Sequence, residues 1–215
     1  MKYNPQIHHR RSVRLKGYDY TQAGAYFITI CSHQRGHIFG EIVNGEMKLN
    51  SLGEIARTEW FKTSELRSYV ELYGDEFVIM PNHAHGIIWL VEQVGALRRN
   101  ALSNNSAKQR AEQRSAPTVK AGSLGAIVRA YKSAVTYAVN QQENSRGSVI
   151  WQRNYYEHVI RNDKELDLIA KYIGCNPLNW QLDRDNPKNI RNLPMPQTID
   201  DYLRDAEEII GVKTK

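Results

Sequence analysis

Two histidines separated by one residue have the clearest capacity for chemistry in the sequence. His83 and His85 stand inside an apolar run that extends from Ile79 to Trp89. Residues i and i+2 of a β-strand point to the same side, so both imidazoles could bind one metal ion. Histidines in apolar surroundings are costly unless they find polar partners. Because isolated His-x-His pairs are common, the pair alone leaves a purely structural role open.

The residues after the pair exclude two known kinds of His-x-His metal site. A binuclear hydrolase of the His-x-His-x-Asp-His type needs further ligands just downstream, where this chain has Gly86, Ile87 and Ile88. A His-x-His-x-His nucleotide hydrolase needs a histidine at position 87, which is isoleucine here. Any further ligand must therefore come from another part of the chain.

The segment 163–177 offers such a ligand together with a nucleophile. On a helix, Tyr172 and Asn176 are one turn apart and share a face. The amide oxygen of Asn176 is a hard donor that could join two imidazoles around Mg²⁺ or Mn²⁺. Tyr172 would then lie beside the metal, although a tyrosine on an apolar helix more commonly packs in a core.

Apolar periodicity and turn residues predict the elements that position these groups. We expect a buried strand at Tyr26–Cys31, a hairpin turning at Asn44-Gly45, and two strands at 76–80 and 83–91 joined by a tight turn. A final strand or extended segment is expected within 149–160. Helices are predicted from Ser51 to about Leu66, with Ser51 as N-cap and Glu54 as its capping-box partner, from Ser123 onward, from Asn162 or Asp163 to about Ile173, and over 199–210. This order predicts an α+β fold with helices packed on a mainly antiparallel sheet.

Composition points to a polyanionic partner for part of the surface. The 215 residues include 29 Lys and Arg against 23 Asp and Glu, a net charge of +6. Residues 1–18 are basic and contain no acid, whereas the end of the chain is acidic. We expect a basic arm at 1–16, one main domain at 17–185 with a basic insertion at 97–123, and a C-terminal extension at 186–215. The sequence has no CxxC pair and no long apolar run, so we expect a cytoplasmic protein without a thiolate zinc site or membrane contact.

Four ordered segments resemble a known family. They are Val78-Ile-Met-Pro-Asn-His-Ala-His-Gly-Ile-Ile-Trp89, Ser123-Leu-Gly-Ala-Ile-Val with Tyr131-Lys-Ser-Ala-Val135, Ile150-Trp-Gln-Arg-Asn-Tyr-Tyr-Glu-His-Val-Ile-Arg-Asn162, and Tyr172-Ile-Gly-Cys-Asn-Pro177. Together they resemble the HUH single-tyrosine transposases of the insertion-sequence-200 type, and within these the REP-associated tyrosine transposases. The resemblance covers roughly residues 15–185.

The resemblance implies a fold and roles for the residues that match. It implies a ferredoxin-like, RRM-type sheet with helices on it, with the histidine pair on a central strand and the nucleophilic tyrosine on a helix that faces the pair. His83 and His85 match the metal-binding pair, Tyr172 matches the nucleophile, and Asn176 matches the third metal ligand. Ala84 replaces the bulky hydrophobic residue between the histidines, which is a mild departure because that side chain points away from the metal.

The expected function is metal-dependent cleavage and joining of single-stranded or hairpin DNA through a 5′-phosphotyrosine, with Mg²⁺ or Mn²⁺. Repetitive palindromic elements are a candidate target, and the chain could act as a monomer or a homodimer. The alternative is a catalytically silent protein that binds DNA hairpins on the same fold. Tyr155 and Tyr156 are weaker candidates for the nucleophile. The candidate DNA contacts are basic and aromatic side chains, Arg129, Lys132, Trp151, Arg153, Tyr155 and Arg161.

Overall fold

A computed structural model of the protein describes residues 15, 17–92, 120–144, 147–194, 196 and 198–210. The expected basic arm at 1–16, apart from Leu15, lies outside these residues. So does the expected insertion at 97–123, apart from its last four residues. No helix within the described ranges is both long and apolar enough to cross a membrane.

Seven strands and four α-helices make up the described chain. The strands are β1 (Gly24–Cys31), β2 (Gly40–Val43), β3 (Glu46–Leu49), β4 (Val70–Glu71), β5 (Phe77–Met80), β6 (His83–Leu90) and β7 (Tyr156–Ile160). The helices are α1 (Ser51–Glu65), α2 (Leu124–Gln142), α3 (Asp163–Cys175) and α4 (Ile199–Ile210). The central sheet has the order β4-β6-β1-β7, β5 also pairs with β6, and every pairing is antiparallel. The strands β2 and β3 form a separate hairpin.

The chain order of these elements confirms the predicted α+β class. Strand β1, helix α1, the β5–β6 pair, helix α2 and strand β7 follow each other as strand, helix, two strands, helix and strand. With β6 and β1 at the centre of the sheet, this is the ferredoxin-like arrangement. Both central strands are buried along nearly their whole length, so groups placed on them are held rigidly.

The two faces of the sheet carry separate hydrophobic cores. On one face, Tyr26, Ile28 and Ile30 of β1 pack with α1 and α2. On the other face, Phe27 of β1 and Ile87 of β6 pack with α3 and α4. Side chains alternate between faces along a strand, so His83 and His85 share the second face with Ile87. The histidine pair therefore lies under α3 and α4.

Several local predictions are confirmed, and one helix cap was assigned to the wrong residue. Asn44 and Gly45 both have positive φ, as a two-residue hairpin turn requires. The side chains of Ser123 and Asn162 cap α2 and α3. The cap of α1 is Asn50 rather than Ser51, because the Asn50 side chain accepts from the N–H groups of the second and third helical residues. Either residue satisfies the sequence rule, and only the backbone turn decides between them.

Within the segment 149–160, which was expected to be a strand or extended, only the last residues form a regular β-strand. Strand β7 begins at Tyr156, and Trp151 makes a single isolated bridge to Ser32. Between them, the Lys132 amine donates to the backbone carbonyls of Gln152 and Arg153 at 2.5 and 3.2 Å. A side chain thus replaces the strand partner that these carbonyls lack.

We expect Gly86→Ala to destabilise the protein, because the strand carrying the histidines packs closely against α1 at this residue. A Cβ at position 86 would lie 2.5 Å from the ring of Trp60 and 3.0 Å from that of Phe77. The two rings are stacked with centroids 4.4 Å apart, so neither can withdraw freely. The expected loss is about 1–3 kcal/mol in the free energy of unfolding, measured by urea denaturation.

Gly74→Ala is the matched control, since a Cβ at Gly74 meets nothing within 4 Å. Its effect should stay within about 0.5 kcal/mol. Equal stabilities for the Gly86 and Gly74 variants would show that the contact with Trp60 does not limit the size of residue 86.

Candidate metal centre and nucleophile

His83 and His85 lie two residues apart on the central strand β6, and their imidazole rings are close to each other. Their Nε2 atoms lie 2.9 Å apart and their ring centroids 4.4 Å apart. Both side chains are fully buried. In the register of the sheet, Thr29 pairs with His85 and Cys31 pairs with His83, so two small side chains of β1 border the pair. Because these two side chains are small, residues of α3 and α4 have room to approach the histidines on this face of the sheet.

Helix α3 brings Tyr172 to this face, opposite the histidines. The Tyr172 hydroxyl lies 3.5 Å from Nε2 of His85, and the two rings have centroids 5.2 Å apart. Asn176 is the C-cap of the helix, one turn after Tyr172, and is also buried. Its side-chain amide meets no geometric criterion for a hydrogen bond within the described residues, but it lies close enough to Tyr172 and Asp183 to lower the pKa of each. The structure thus brings together His83, His85 and Tyr172 and places Asn176 one helical turn further on.

An aspartate that the sequence reasoning missed completes the cluster. Asp183 follows α3 and is 2% exposed, with Oδ2 lying 3.7 Å from Nε2 of His83. One ligand atom each of His83, His85 and Asp183 lies within 4.8 Å of the others, close enough to hold one metal ion. The only signal in the sequence was the pair of acids Asp183 and Asp185 after Pro177. Nothing in that spacing relates them to histidines about one hundred residues earlier.

Hydrogen bonds from neighbouring side chains hold the two imidazoles. Nδ1 of His83 is 2.9 Å from Oδ1 of Asn82, and Nδ1 of His85 is 2.8 Å from Oγ1 of Thr29. Both partners are fully buried. Each ring is therefore fixed through its Nδ1 atom, and its Nε2 atom points into the cluster.

Burial sets the protonation of the cluster. It lowers the pKa of His83 well below its usual range and that of His85 to about 3. Both imidazoles are therefore neutral, which is the form that binds metals. Burial, with a contribution from Asp205, raises the pKa of Asp183 to about 8. Burial, helped by Asp183, raises the pKa of the Tyr172 phenol well above its usual range.

The C-terminal helix α4 covers the cluster. The Tyr202 hydroxyl donates to Oδ2 of Asp185 at 2.7 Å, and its ring centroid lies 5.3 Å from that of His85. Asp185 also pairs with Arg35 in the loop after β1. Further along α4, Asp205 accepts from Arg184 and Arg191 at 2.9 and 3.0 Å. In this arrangement Tyr172 is 1% exposed, so a macromolecule reaches its hydroxyl only if the covering segment moves.

The side chains predicted to contact DNA are spread over the molecule. Arg129, Arg153 and Arg161 are exposed. Arg129 and Lys132 belong to α2, which packs on the face of the sheet opposite Tyr172. The other two are aromatic. Trp151 is buried with its ring centroid 4.9 Å from that of Phe39, and Tyr155 packs against the same core.

No model of a known protein family matches the chain. An uncharacterized protein of Haemophilus influenzae is 43% identical to it over 183 residues, which cover 85% of this chain and 96% of the relative. The chain belongs to the same family as this Haemophilus influenzae protein. Among solved structures, this chain is similar to a REP-associated tyrosine transposase bound to a REP hairpin. The TM-score is 0.49 at 20% identity, over 77% of this chain and 73% of that chain.

Proposed function

We propose that the protein is a metal-dependent DNA-cleaving and strand-joining enzyme that forms a 5′-phosphotyrosine through Tyr172. The observation that carries this proposal is the position of the Tyr172 hydroxyl, 3.5 Å from His85 within a buried group of metal-binding side chains. A buried tyrosine hydroxyl needs a polar partner, and here the partner is one of the metal-binding side chains. The four sequence segments that resemble single-tyrosine transposases support the same reading.

The residues present fit a divalent ion. Among the described residues, Oδ2 of Asp183 makes no hydrogen bond, and it lies beside two neutral imidazoles. Burial keeps this carboxyl largely protonated at neutral pH, and a bound cation would favour the ionised form that binds metals. His83, His85 and Asp183 would hold the ion, and the amide oxygen of Asn176 is a further candidate donor. Two nitrogen ligands with one or two oxygen ligands suit Mn²⁺ and are compatible with Mg²⁺.

Tyr172 needs help to act as a nucleophile, because a phenol with a raised pKa is almost fully protonated at neutral pH. A divalent ion at the site would polarise the scissile phosphate and stabilise charge on its non-bridging oxygens. The Tyr172 oxygen bonds to phosphorus as the bond from phosphorus to the 3′-oxygen breaks. The phenol proton leaves to water, and the departing 3′-oxygen takes up a proton. The phosphodiester energy is kept in the new bond, so a second 3′-hydroxyl can reverse the step and join strands.

Single-stranded or hairpin DNA is the proposed substrate, because the resemblance to single-tyrosine transposases implies it. The exposed Arg153 and Arg161 flank β7, which borders this face, and could bind phosphates there. Repetitive palindromic elements remain the proposed target class.

One observation favours a second candidate, a protein that binds DNA hairpins without cleaving them. The two histidines are fully buried and α4 lies over them, so the described part of the chain leaves no open path from solvent to the nucleophile. A binding protein could keep this closed core unchanged while its surface holds DNA.

Incubation with labelled hairpin DNA and Mn²⁺ separates the two candidates. The enzyme would give a covalent protein–DNA adduct that survives denaturing electrophoresis and disappears on protease treatment. Adduct formation should require Mn²⁺ and stop on chelation. Tight hairpin binding with no adduct, tested over a set of hairpins and both metal ions, would leave only the binding protein.

A further inference from the structure

The side-chain amide of Asn82 makes three contacts around the histidine pair. Nδ2 lies 2.8 Å from the backbone carbonyl of Asp185 and 3.3 Å from that of Arg35. Oδ1 lies 2.9 Å from Nδ1 of His83. The residue is fully buried in the two-residue turn between β5 and β6, so no water competes for these contacts. Asn82 thus joins the histidine strand to the segment that carries Asp183.

These contacts determine which atom of the amide is the acceptor. A carbonyl oxygen only accepts, so the group facing two carbonyls must be the NH₂ group. The reversed amide would place oxygen against both carbonyls and leave two acceptors unsatisfied in a buried site. Oδ1 therefore faces His83, and Nδ1 of His83 must carry its proton. It follows that Nε2 of His83 carries none.

The same logic fixes the next two hydrogen bonds. Nε2 of His85 lies 2.9 Å from the bare Nε2 of His83, so His85 must donate there. The neutral His85 ring then has a bare Nδ1, which accepts from the Thr29 hydroxyl at 2.8 Å. The chain of donors runs in one direction, from Thr29 through His85 and His83 to Asn82.

We propose that Asn82 and Thr29 are positioning residues with different tasks at the metal site, an inference that rests on the proposed metal-dependent function. The amide oxygen of Asn82 can only accept a hydrogen bond, so it keeps His83 permanently in the tautomer whose Nε2 can bind a metal. The hydroxyl of Thr29 can donate or accept. It lets the His85 proton move from Nε2 to Nδ1 when a metal binds, with no net release of a proton. His83 is thus a preset ligand, and His85 is a ligand that changes tautomer.

Histidine ¹⁵N NMR of the wild-type protein tests the assignment without any substitution. In metal-free protein, His83 should be protonated at Nδ1 and His85 at Nε2. With Zn²⁺ as a diamagnetic probe, both rings should be protonated at Nδ1 and bound through Nε2. A metal-free His83 protonated at Nε2 would overturn the role of Asn82. A metal-free His85 protonated at Nδ1 would overturn the tautomer change.

Mn²⁺ affinities of variants, measured by calorimetry, test the consequence. We expect Asn82→Ala and Thr29→Val each to weaken Mn²⁺ binding about 10- to 100-fold, the usual effect of losing the partner of a metal-bound histidine. Thr29→Ser keeps the hydroxyl and should bind within about threefold of wild type. Ser123→Ala removes the side-chain cap of α2, which packs on the opposite face of the sheet from the histidines. It should lower the melting temperature and leave Mn²⁺ affinity unchanged.

The outcomes separate this inference from the proposed function. A wild-type protein that binds no Mn²⁺ overturns the metal-dependent function. Wild-type binding with unchanged affinity in folded Asn82→Ala or Thr29→Val overturns the positioning role of that residue alone. If Asn82→Ala does not fold, the His83 tautomer measured in the wild-type protein still tests the role of Asn82. The comparison of Thr29→Val with Thr29→Ser still tests the role of Thr29.

Discussion

Tyr172→Phe should abolish the covalent DNA adduct and reduce strand cleavage by on the order of 10³-fold or more, because loss of a covalent nucleophile removes the whole reaction path. The phenylalanine keeps the ring that packs between Phe27 and His85, so the core should stay intact. Cleavage of a labelled hairpin in Mn²⁺ and the yield of adduct are the two measurements. Mn²⁺ affinity should hardly change, since the phenol is outside the proposed ligand set.

The prediction is specific because other tyrosines lie near the cluster. Tyr202 is buried with its hydroxyl on Asp185, and the Tyr156 hydroxyl donates to the backbone carbonyl of Pro196 at 3.1 Å. Each of these hydroxyls is held by an acceptor outside the histidine pair, whereas that of Tyr172 lies beside the imidazole of His85 and the amide of Asn176, two of the candidate metal-binding groups. An adduct that persists in Tyr172→Phe and is lost in Tyr202→Phe or Tyr156→Phe would assign the nucleophile to another residue.

Tyr131→Phe is the matched control for the loss of a buried phenol. Tyr131 lies in the core on the opposite face of the sheet, and its hydroxyl donates to the carbonyl of Ala56 at 3.1 Å. This variant should lose about 1 kcal/mol of stability through the missing hydrogen bond. Adduct formation per folded molecule should match wild type, which would show that Tyr172→Phe acts through chemistry and not through folding.

The sequence predicts the part of the site that lies on regular elements. The His-x-His spacing on a strand places both imidazoles on one face, and the four-residue spacing of Tyr172 and Asn176 places them on one side of a helix. Local periodicity and caps fix both arrangements, and the structure confirms the strand and the helix. That the helix faces the histidines was supplied by the family resemblance, because spacing within one element does not state which element packs against it.

The remaining part depends on contacts between distant segments. Asp183 enters the cluster through an irregular segment after α3, where no periodicity predicts the direction of a side chain. Asn82 looks in the sequence like an ordinary turn residue, and only the carbonyls of Arg35 and Asp185 give its amide a fixed orientation. Trp151 was expected on a DNA-binding surface. An aromatic side chain beside basic residues gives the same sequence pattern on such a surface and in a core, so the sequence could not distinguish the two positions. These features depend on contacts between segments that are distant in the sequence, so rules based on local sequence could not predict them.

Asp183→Asn should have two opposite effects, lower Mn²⁺ affinity and higher stability of the metal-free protein. Oδ1 accepts from the backbone N–H of Asp185 at 2.7 Å, a bond that asparagine keeps. At the other position, the variant replaces a buried carboxyl oxygen by an uncharged NH₂ group, which removes the cost of burying an ionisable group. The metal-free protein should gain about 1–3 kcal/mol in its free energy of unfolding. Mn²⁺ affinity should fall by at least the 10- to 100-fold that loss of an outer partner costs.

The dependence of this gain on pH tests its cause. The pKa of Asp183 is about 8 in the folded protein against 3.8 for an unperturbed group. Well below pH 3.8 the carboxyl is protonated in both the folded and unfolded states, so it adds no penalty. As pH rises towards 8 the unfolded chain ionises first, and the wild type loses stability that the asparagine variant keeps. The stability advantage of Asp183→Asn should therefore be small at pH 4 and fully developed at pH 8.

Metal binding should reduce the stability advantage of Asp183→Asn. Saturating Mn²⁺ stabilises whichever folded state binds it, by about 2.7 kcal/mol at one hundred times the dissociation constant. Wild type should therefore gain more from added Mn²⁺ than the variant, and it should melt above the variant once the difference in binding free energy exceeds the advantage of the metal-free variant. Asp205→Asn is the comparison variant, since Asp205 is a buried aspartate that pairs with two arginines and helps to raise the pKa of Asp183, but is not one of the three clustered ligands. It should lose stability and keep its response to Mn²⁺. If Asp183→Asn responds to Mn²⁺ as wild type does and Asn176→Ala does not, the third ligand is the asparagine on α3, and Asp183 only borders the site.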